Sequence, residues 1–241
     1  MGEGYGNWRM GPDEELMPLI DLANVACGFH GGDPVIMHKT VKLAKKHNVP
    51  VGAHPSLPDR EGFGRRYIDI SASDLYDQLV YQIGALAGFL KAEEMPLNHV
   101  KMHGYLYKMC EASEAHCEAV IKAVKLFSVP LLQVAGCSLE KMAAKHGVPF
   151  IPEFYPDLHY SIEGRLVPLA VSPRVTSDTV KAKMEKIIRE DIVLTQEKQP
   201  VKLGLEGRSF SCCIHSDLPF ALETCKEVRA AIVGCFGAKL E

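Results

Sequence analysis

The sequence has no apolar run of the roughly 18 residues needed to cross a bilayer. Its opening, Met1-Gly2-Glu3-Gly4-Tyr5, lacks the charged and apolar regions of a signal peptide. Both absences set the expectation of a cytoplasmic protein that does not engage membranes. Positive charge is not in excess: 27 Lys and Arg stand against 30 Asp and Glu, a formal net charge of −3, and no basic run forms a stripe that could track phosphates. Nucleic-acid binding is therefore not expected. The eight cysteines include no C-x-x-C spacing. That argues against the common zinc motifs, and without a secretion signal the thiols read as reduced core residues rather than a disulfide framework. Gly2, Gly4 and Gly6 follow no apolar strand and precede no Gly-Lys-Ser/Thr, so they form no P-loop. Internal repeats, low-complexity tracts and linkers are also missing, so residues 1–241 read as a single domain. With 47% hydrophobic and 24% charged residues, 241 residues suffice for one large buried core.

What is present is a rhythm of short apolar runs that stop at histidine. Val25-Ala26-Cys27-Gly28-Phe29-His30, Val51-Gly52-Ala53-His54, Val100-Lys101-Met102-His103-Gly104 and Cys213-Ile214-His215-Ser216-Asp217 each place an imidazole just past or at the end of such a run. Four of the ten histidines in equivalent positions point to a shared site at the carboxyl rim of a parallel α/β fold. Asp33-Pro34 opens a helix to about His47. Ser71-Ala72-Ser73-Asp74 resembles a cap before Leu75, Leu79, Ile83, Leu86 and Leu90, which recur at helical spacing. Further helices are expected at 13–19, 115–126, 139–146, 177–195 and 218–233. Strands are expected at 20–27, 49–53, 99–102, 129–135, 148–151, 201–205 and 210–214, with 155–176 irregular. This alternation favours a parallel sheet covered by helices, closed or nearly closed as a (β/α) barrel. The segment 55–66, rich in Pro, Gly and charge, reads as a loop above the rim. Arg65 and Arg66 either bind an anionic ligand there or are simply solvated.

His30, His54, His103 and His215, with Glu153 and Asp217, are the candidate catalytic residues. Imidazole and carboxylate together suit either a divalent metal such as Zn²⁺ or general acid–base work, and the spacing does not separate the two. Asp33 and Asp217 also have plain roles as helix caps. Cys27 is either a nucleophile beside His30 or a packed thiol. Lys101, if it points inward, needs a partner or an anion.

Gly2-Glu3-Gly4-Tyr5-Gly6, Ala26-Cys27-Gly28-Phe29-His30, Gly52-Ala53-His54-Pro55, Gly62-Phe63-Gly64-Arg65-Arg66, Gln82-Ile83-Gly84-Ala85-Leu86, Lys101-Met102-His103-Gly104 and Ile214-His215-Ser216-Asp217 together resemble the LamB/YcsF family nearly end to end. The resemblance implies a distorted (β/α) barrel of the glycoside hydrolase/deacetylase type. It also implies hydrolysis of a cyclic amide, 5-oxoproline or a related lactam, in the manner of the A component of 5-oxoprolinase. That activity would depend on ATP, with B and C type subunits as partners. An unactivated lactam is a poor electrophile, and phosphorylating its oxygen would supply a leaving group. The histidines and carboxylates would then direct water, and Glu3, Arg65, Arg66, Lys101 and Tyr107 would hold substrate or phosphate. The alternatives are a metal-dependent amide hydrolase of the deacetylase kind, with a divalent metal, and a non-catalytic interaction subunit.

The sequence departs from the family pattern in four places. The strand carrying Asn-x-Asp before Gly-Glu lies outside the numbered sequence, which would leave a sheet edge unpaired. Leu158 and Leu169 stand where arginines are usual, which points to a less anionic ligand or to Arg165 or Arg174 taking over. Tyr105 occupies an alanine position, a phenol where a methyl is usual.

Overall fold

The computed structural model describes residues 1–168 and 175–236; Leu169 and Arg174 lie outside the described residues. The chain packs as two compact units, Met1–Gln133 with Cys137–Ile151, and Val134–Gly136 with Pro152–Glu241.

The first unit opens with a short helix α1 (Asp13–Leu16) and a 3-10 turn, Met17–Leu19. Strand β1 (Ala23–Ala26) follows, then α2 (Pro34–Lys46), β2 (Val51–His54) and α3 (Ala72–Ala92). Next come β3 (Leu97–Lys101), α4 (Tyr105–Ala112), α5 (Glu114–Leu126), β4 (Leu131–Val134), α6 (Ser138–His146) and β5 (Phe150–Phe154). β1 pairs parallel with β2, β2 with β3 and β3 with β4. The Leu131 amide donates to the Pro149 carbonyl at the start of β5. Strands 1, 2 and 4 are almost wholly buried, as expected for a parallel sheet covered on both faces. Leu75, Leu79, Ile83, Leu86 and Leu90 of α3 form the expected core stripe, all essentially inaccessible. Burial of each contributes about 1.5–3 kcal/mol before entropy is counted.

Helix starts in this unit are chemically explicit. Asp33 Oδ1 accepts from the amides of Val35 and Ile36, both at 2.9 Å, and Pro34 takes the first helical position. Ser71 Oγ accepts from the Asp74 amide at 3.0 Å. Asp33 Oδ2 also accepts from the Gly6 amide at 2.9 Å, so this cap ties the N-terminal segment to α2. Asp33→Ala is expected to cost about 1 kcal/mol in a denaturant melt. These amide bonds, the largest to Ile36, hold the Asp33 carboxyl below its usual range. Its contribution to stability is therefore present above the unfolded carboxyl pKa and fades as pH falls through the lower folded value.

Met1 pairs with the edge of β1. Its ammonium donates to the Asn24 carbonyl at 2.9 Å, and its carbonyl accepts from the Ala26 amide at 3.0 Å.

In the second unit the end of β5 pairs parallel with β8 (Ser211–Cys212), Glu153 opposite Ser211, and the Ala135 amide donates to the Glu153 carbonyl. The parallel sheet thus runs in the order β1-β2-β3-β4-β5-β8. Helices α7 (Ser177–Glu190) and α8 (Ala221–Phe236) pack against each other.

Three expectations need correcting here. The helix expected over 177–195 stops at Glu190, because Asp191 turns left-handed (φ 57°) and its carboxylate accepts from the amides of Gly204 and Leu205. The strand expected at 201–205 is β7 (Pro200–Lys202), which pairs antiparallel with β6 (Ile192–Leu194) as a separate hairpin and is not in the parallel sheet. Asp217 does not cap the last helix, which begins at Ala221 after Phe220 turns left-handed. In the first unit, helix α4 directly after His103-Gly104 has no counterpart among the expected helices. None of the eight cysteines is disulfide-bonded, and no helix among the described residues is long and apolar enough to cross a membrane.

Candidate functional site

The ends of β1, β2 and β3 deliver three of the expected histidines to one place. His54 is the last residue of β2, His103 lies two residues past β3, and His30 sits in the turn between β1 and α2. All three are buried. His30 and His103 stack with centroids 3.7 Å apart, and His54 meets His103 edge-on at 4.8 Å. Glu3 reaches the same spot from the N-terminal segment, its Oε1 accepting from His30 Nε2 at 3.2 Å. The Gly64 carbonyl accepts from the Tyr105 amide at 2.8 Å, and a β-carbon on Gly64 would stand 2.9 Å from both His30 and His103, so the expected loop lies over the imidazoles.

That loop is braced from two sides. Gln82 of α3 donates to the Ser56 carbonyl and accepts from the Ser56 amide, both at 2.9 Å. Asp59 accepts from the Gly62 and Arg66 amides and from the Arg66 guanidinium. Arg66 is thereby committed to Asp59, and the Arg66 bond holds the Asp59 carboxyl below its usual range. Arg65 lies over the Phe63 ring at 4.8 Å. Arg60 clasps the carbonyls of Gly28 and Gly32 and covers the Tyr5 ring at 3.5 Å. Tyr105, the phenol at the family's alanine position, turns edge-on to Tyr67 of the loop, centroids 5.6 Å apart.

Hydrogen-bond partners fix the proton positions. His54 Nδ1 faces the Lys101 carbonyl at 2.8 Å, and His103 Nε2 faces the Phe63 carbonyl at 2.8 Å. Carbonyls only accept, so both nitrogens carry hydrogen. The remaining pair, His54 Nε2 and His103 Nδ1, then face each other at 3.1 Å with lone pairs opposed. That arrangement calls for a proton or a cation between them. Burial, followed by the neighbouring imidazoles, pushes both rings well below the usual histidine range, which makes an added proton costly. The opposed lone pairs fit a divalent cation. Glu3, His54 and His103 offer ligand atoms within 4.8 Å of one another, and the outer nitrogens donate to backbone carbonyls as metal-bound histidines usually do. Burial tends to raise Glu3, but the Met1 ammonium and the His30 bond outweigh it and keep the carboxyl well below its usual range. His30 Nδ1 is buried without a hydrogen-bond partner.

Lys101 is buried at the end of β3, pointing inward as one of the two sequence readings had it. Tyr107 is half-buried on α4. Cys27 is buried and its thiol donates to the Val25 carbonyl; burial pushes its pKa up to about 12, so it is a packed thiol and no nucleophile at neutral pH.

Glu153, His215 and Asp217 belong to the second unit. Glu153 accepts from Tyr155 Oη at 2.8 Å and from Ser211 Oγ at 3.0 Å. His215 is held by Asp157, while Asp217 sits half-buried in the turn before α8. Arg165 is exposed. The cation at the 155–158 turn, where the family arginine is missing, is Lys183 of α7, which donates to the carbonyls of Tyr155, Pro156 and Leu158. Burial drives this ammonium down to about 8, with Asp157 pulling it back up. Sequence reasoning missed Asp157, Lys183, Asp59 and Gln82 as organisers. The one available signal was an Asp after Pro156, shortly past the strand that carries Glu153.

This chain resembles known proteins over nearly its whole length. A crystal structure of a lactam utilization protein from Thermus thermophilus superposes with a TM-score of 0.88 at 38% identity, covering 97% of this chain and 94% of that one. That likeness bears out the distorted (β/α) barrel class. The lactam utilization protein lamB of Emericella nidulans is 43% identical over 96% of this chain and 91% of its own length. The A component of 5-oxoprolinase from Staphylococcus aureus is 40% identical over 97% of this chain and 93% of its own. The pattern of the LamB/YcsF family matches residues 1–236, and the chain belongs to that family.

Proposed function

We propose that this chain, acting as one domain over residues 1–241, opens a cyclic amide such as 5-oxoproline with consumption of ATP, in concert with B and C type partner subunits. The observation that supports this most directly is the buried Glu3–His30–His54–His103 cluster under the 55–66 loop, in a chain whose relatives are named for lactam utilization and 5-oxoprolinase. Ring opening needs one proton taken from water and one given to the departing ring nitrogen, and a group of imidazoles shielded from solvent can do both. In this reading His54 and His103 handle protons. Glu3 orients His30, whose partnerless Nδ1 accepts from the substrate amide. Arg65, rather than the Asp59-bound Arg66, and Lys101 hold carboxylate or phosphate, with Tyr107 at the margin. Glu153, His215 and Asp217 are further proposed catalytic residues of the chain.

Turnover of 5-oxoproline and 2-pyrrolidinone, with and without ATP and with candidate partner subunits, tests the reading. Ring opening is expected only with ATP and partners, and faster for the lactam that carries a carboxylate. Opening that is indifferent to ATP removes the ATP-dependent form.

The opposed lone pairs of His54 and His103 favour a second reading, a metal-dependent amide hydrolase. Glu3, His54 and His103 would hold the ion, which when bound supplies a Lewis acid that polarises the amide carbonyl. Elemental analysis of protein purified without chelator is then expected to find about one equivalent of divalent ion, lost in Glu3→Gln. An ion-free, fully active protein contradicts it.

A further inference from the structure

We propose that Cys110 and Cys117 are a peroxide-responsive thiol pair, oxidised by a small peroxide to a disulfide that staples helix α4 to helix α5. Both thiols lie in the first unit, and their chemistry does not depend on lactam turnover.

Cys110 and Cys117 are seven residues apart. In one continuous helix that spacing would separate them by about 10 Å along the axis, whereas a disulfide needs α-carbons within about 7 Å. The chain breaks between them instead. Ser113, at φ −146° and ψ 115°, ends α4 and caps α5, and α5 packs back against α4. This turn brings the two thiols into a hydrogen bond, and the Cys117 thiol also reaches the Cys110 carbonyl at 3.1 Å. The bond between the thiols is unequal. It pushes Cys110 well above the usual thiol range, with burial adding, and holds Cys117 below that range against burial. Cys117 is therefore the more readily ionised sulfur and the attacking one, with Cys110 beside it to complete the link.

Both residues line a cavity of about 360 Å³, together with Glu111, Lys141, Met142 and Lys145. Helix α6 is tied to the α4–α5 corner around it: the Ser138 amide donates to Glu111 Oε1 at 2.7 Å, and Lys145 pairs with Glu114 at 3.4 Å. Cys110 is 2% and Cys117 1% exposed, so an oxidant the size of hydrogen peroxide suits the site and a bulky disulfide such as oxidised glutathione does not. Burial pushes Cys27 and Cys137 up to about 12, so these thiols stay protonated at neutral pH and serve as internal controls.

In the reaction, the Cys117 thiolate attacks one peroxide oxygen and the O–O bond breaks. Cys117 becomes a sulfenic acid, and the departing hydroxide takes up the proton that the thiol gave up and leaves as water. The Cys110 sulfur, losing its own proton, then bonds to the Cys117 sulfur and expels the sulfenic oxygen as a second water. The two thiols lose two electrons and the peroxide gains them.

The test treats the reduced full chain with hydrogen peroxide at neutral pH, quenches it with an alkylating agent and maps the cysteines by peptide mass spectrometry. A Cys110–Cys117 link, reversed by dithiothreitol, is expected to appear at least about tenfold faster than any oxidation at Cys27 or Cys137. Cys110→Ser is expected to stop at a Cys117 sulfenic acid that dimedone traps, while Cys117→Ser gives no sulfenic acid at Cys110. The wild-type map needs no substituted protein to fold. Absence of the link, a link to Cys137 instead, or bridging by oxidised glutathione as fast as by peroxide overturns the proposal.

Discussion

Gly104→Ala is expected to lower the melting temperature by about 6–12 °C. Gly104 stands at φ 61°, ψ −127°, a region essentially closed to residues with a β-carbon. An added methyl would also lie 2.2 Å from the Gly64 carbonyl oxygen, the atom that accepts from the Tyr105 amide. Backbone strain of about 1–3 kcal/mol adds to overpacking of about 1–3 kcal/mol. A typical total near 3 kcal/mol corresponds to that shift for a chain of this size. The methyl would push directly on the loop over His30 and His103, so activity should fall together with stability. A melting temperature within about 1 °C of wild type would show that the close approach of Gly64 to Gly104 is not maintained in solution.

The glycine also explains why part of this region is hidden in the sequence. Helix α4 begins at Tyr105 with no side chain capping it, because Gly104 makes the turn by backbone conformation alone. Without Ser, Thr, Asp or Asn before it, nothing marks a helix start. Helices α2 and α3 are legible for the opposite reason, since Asp33-Pro34 and Ser71 announce them and their buried stripes keep helical spacing. The overlong reading of α7 has a tertiary cause: Asp191 ends the helix by bonding amides at Gly204 and Leu205, more than ten residues on.

For the site, strand-end histidines are readable because a parallel sheet places successive strand ends on one rim. His30, His54 and His103 follow that rule on consecutive strands β1, β2 and β3. What no local pattern encodes is the pairing partner. Asp157 lies 58 residues from His215, and Lys183 reaches the turn from another helix. Arg66 reads in the sequence as a ligand-binding cation, yet its guanidinium is bound to Asp59 seven residues away, a contact that depends on how the loop folds back on itself.

His54→Ala and His103→Ala carry the largest expected effect on activity, a loss of about 10²–10⁴-fold in kcat each. Each truncation removes one of the two opposed nitrogens and takes an imidazole donor away from the Lys101 or Phe63 carbonyl. A stability cost of about 1–3 kcal/mol accompanies that loss. The two losses should be strongly non-additive, since either one dismantles the same pair. The double variant is expected to be little worse than the singles, and independent, multiplying effects would show that the rings do not act as a unit.

The most direct measurement is ring opening of 5-oxoproline by the wild-type chain with ATP and partner subunits, run beside His54→Ala at equal folded concentration. Steady glutamate release by the wild type and its near-complete loss in the variant is the predicted result. Equal rates for the two proteins, or no glutamate from either, would contradict a lactam-opening role for the buried imidazoles.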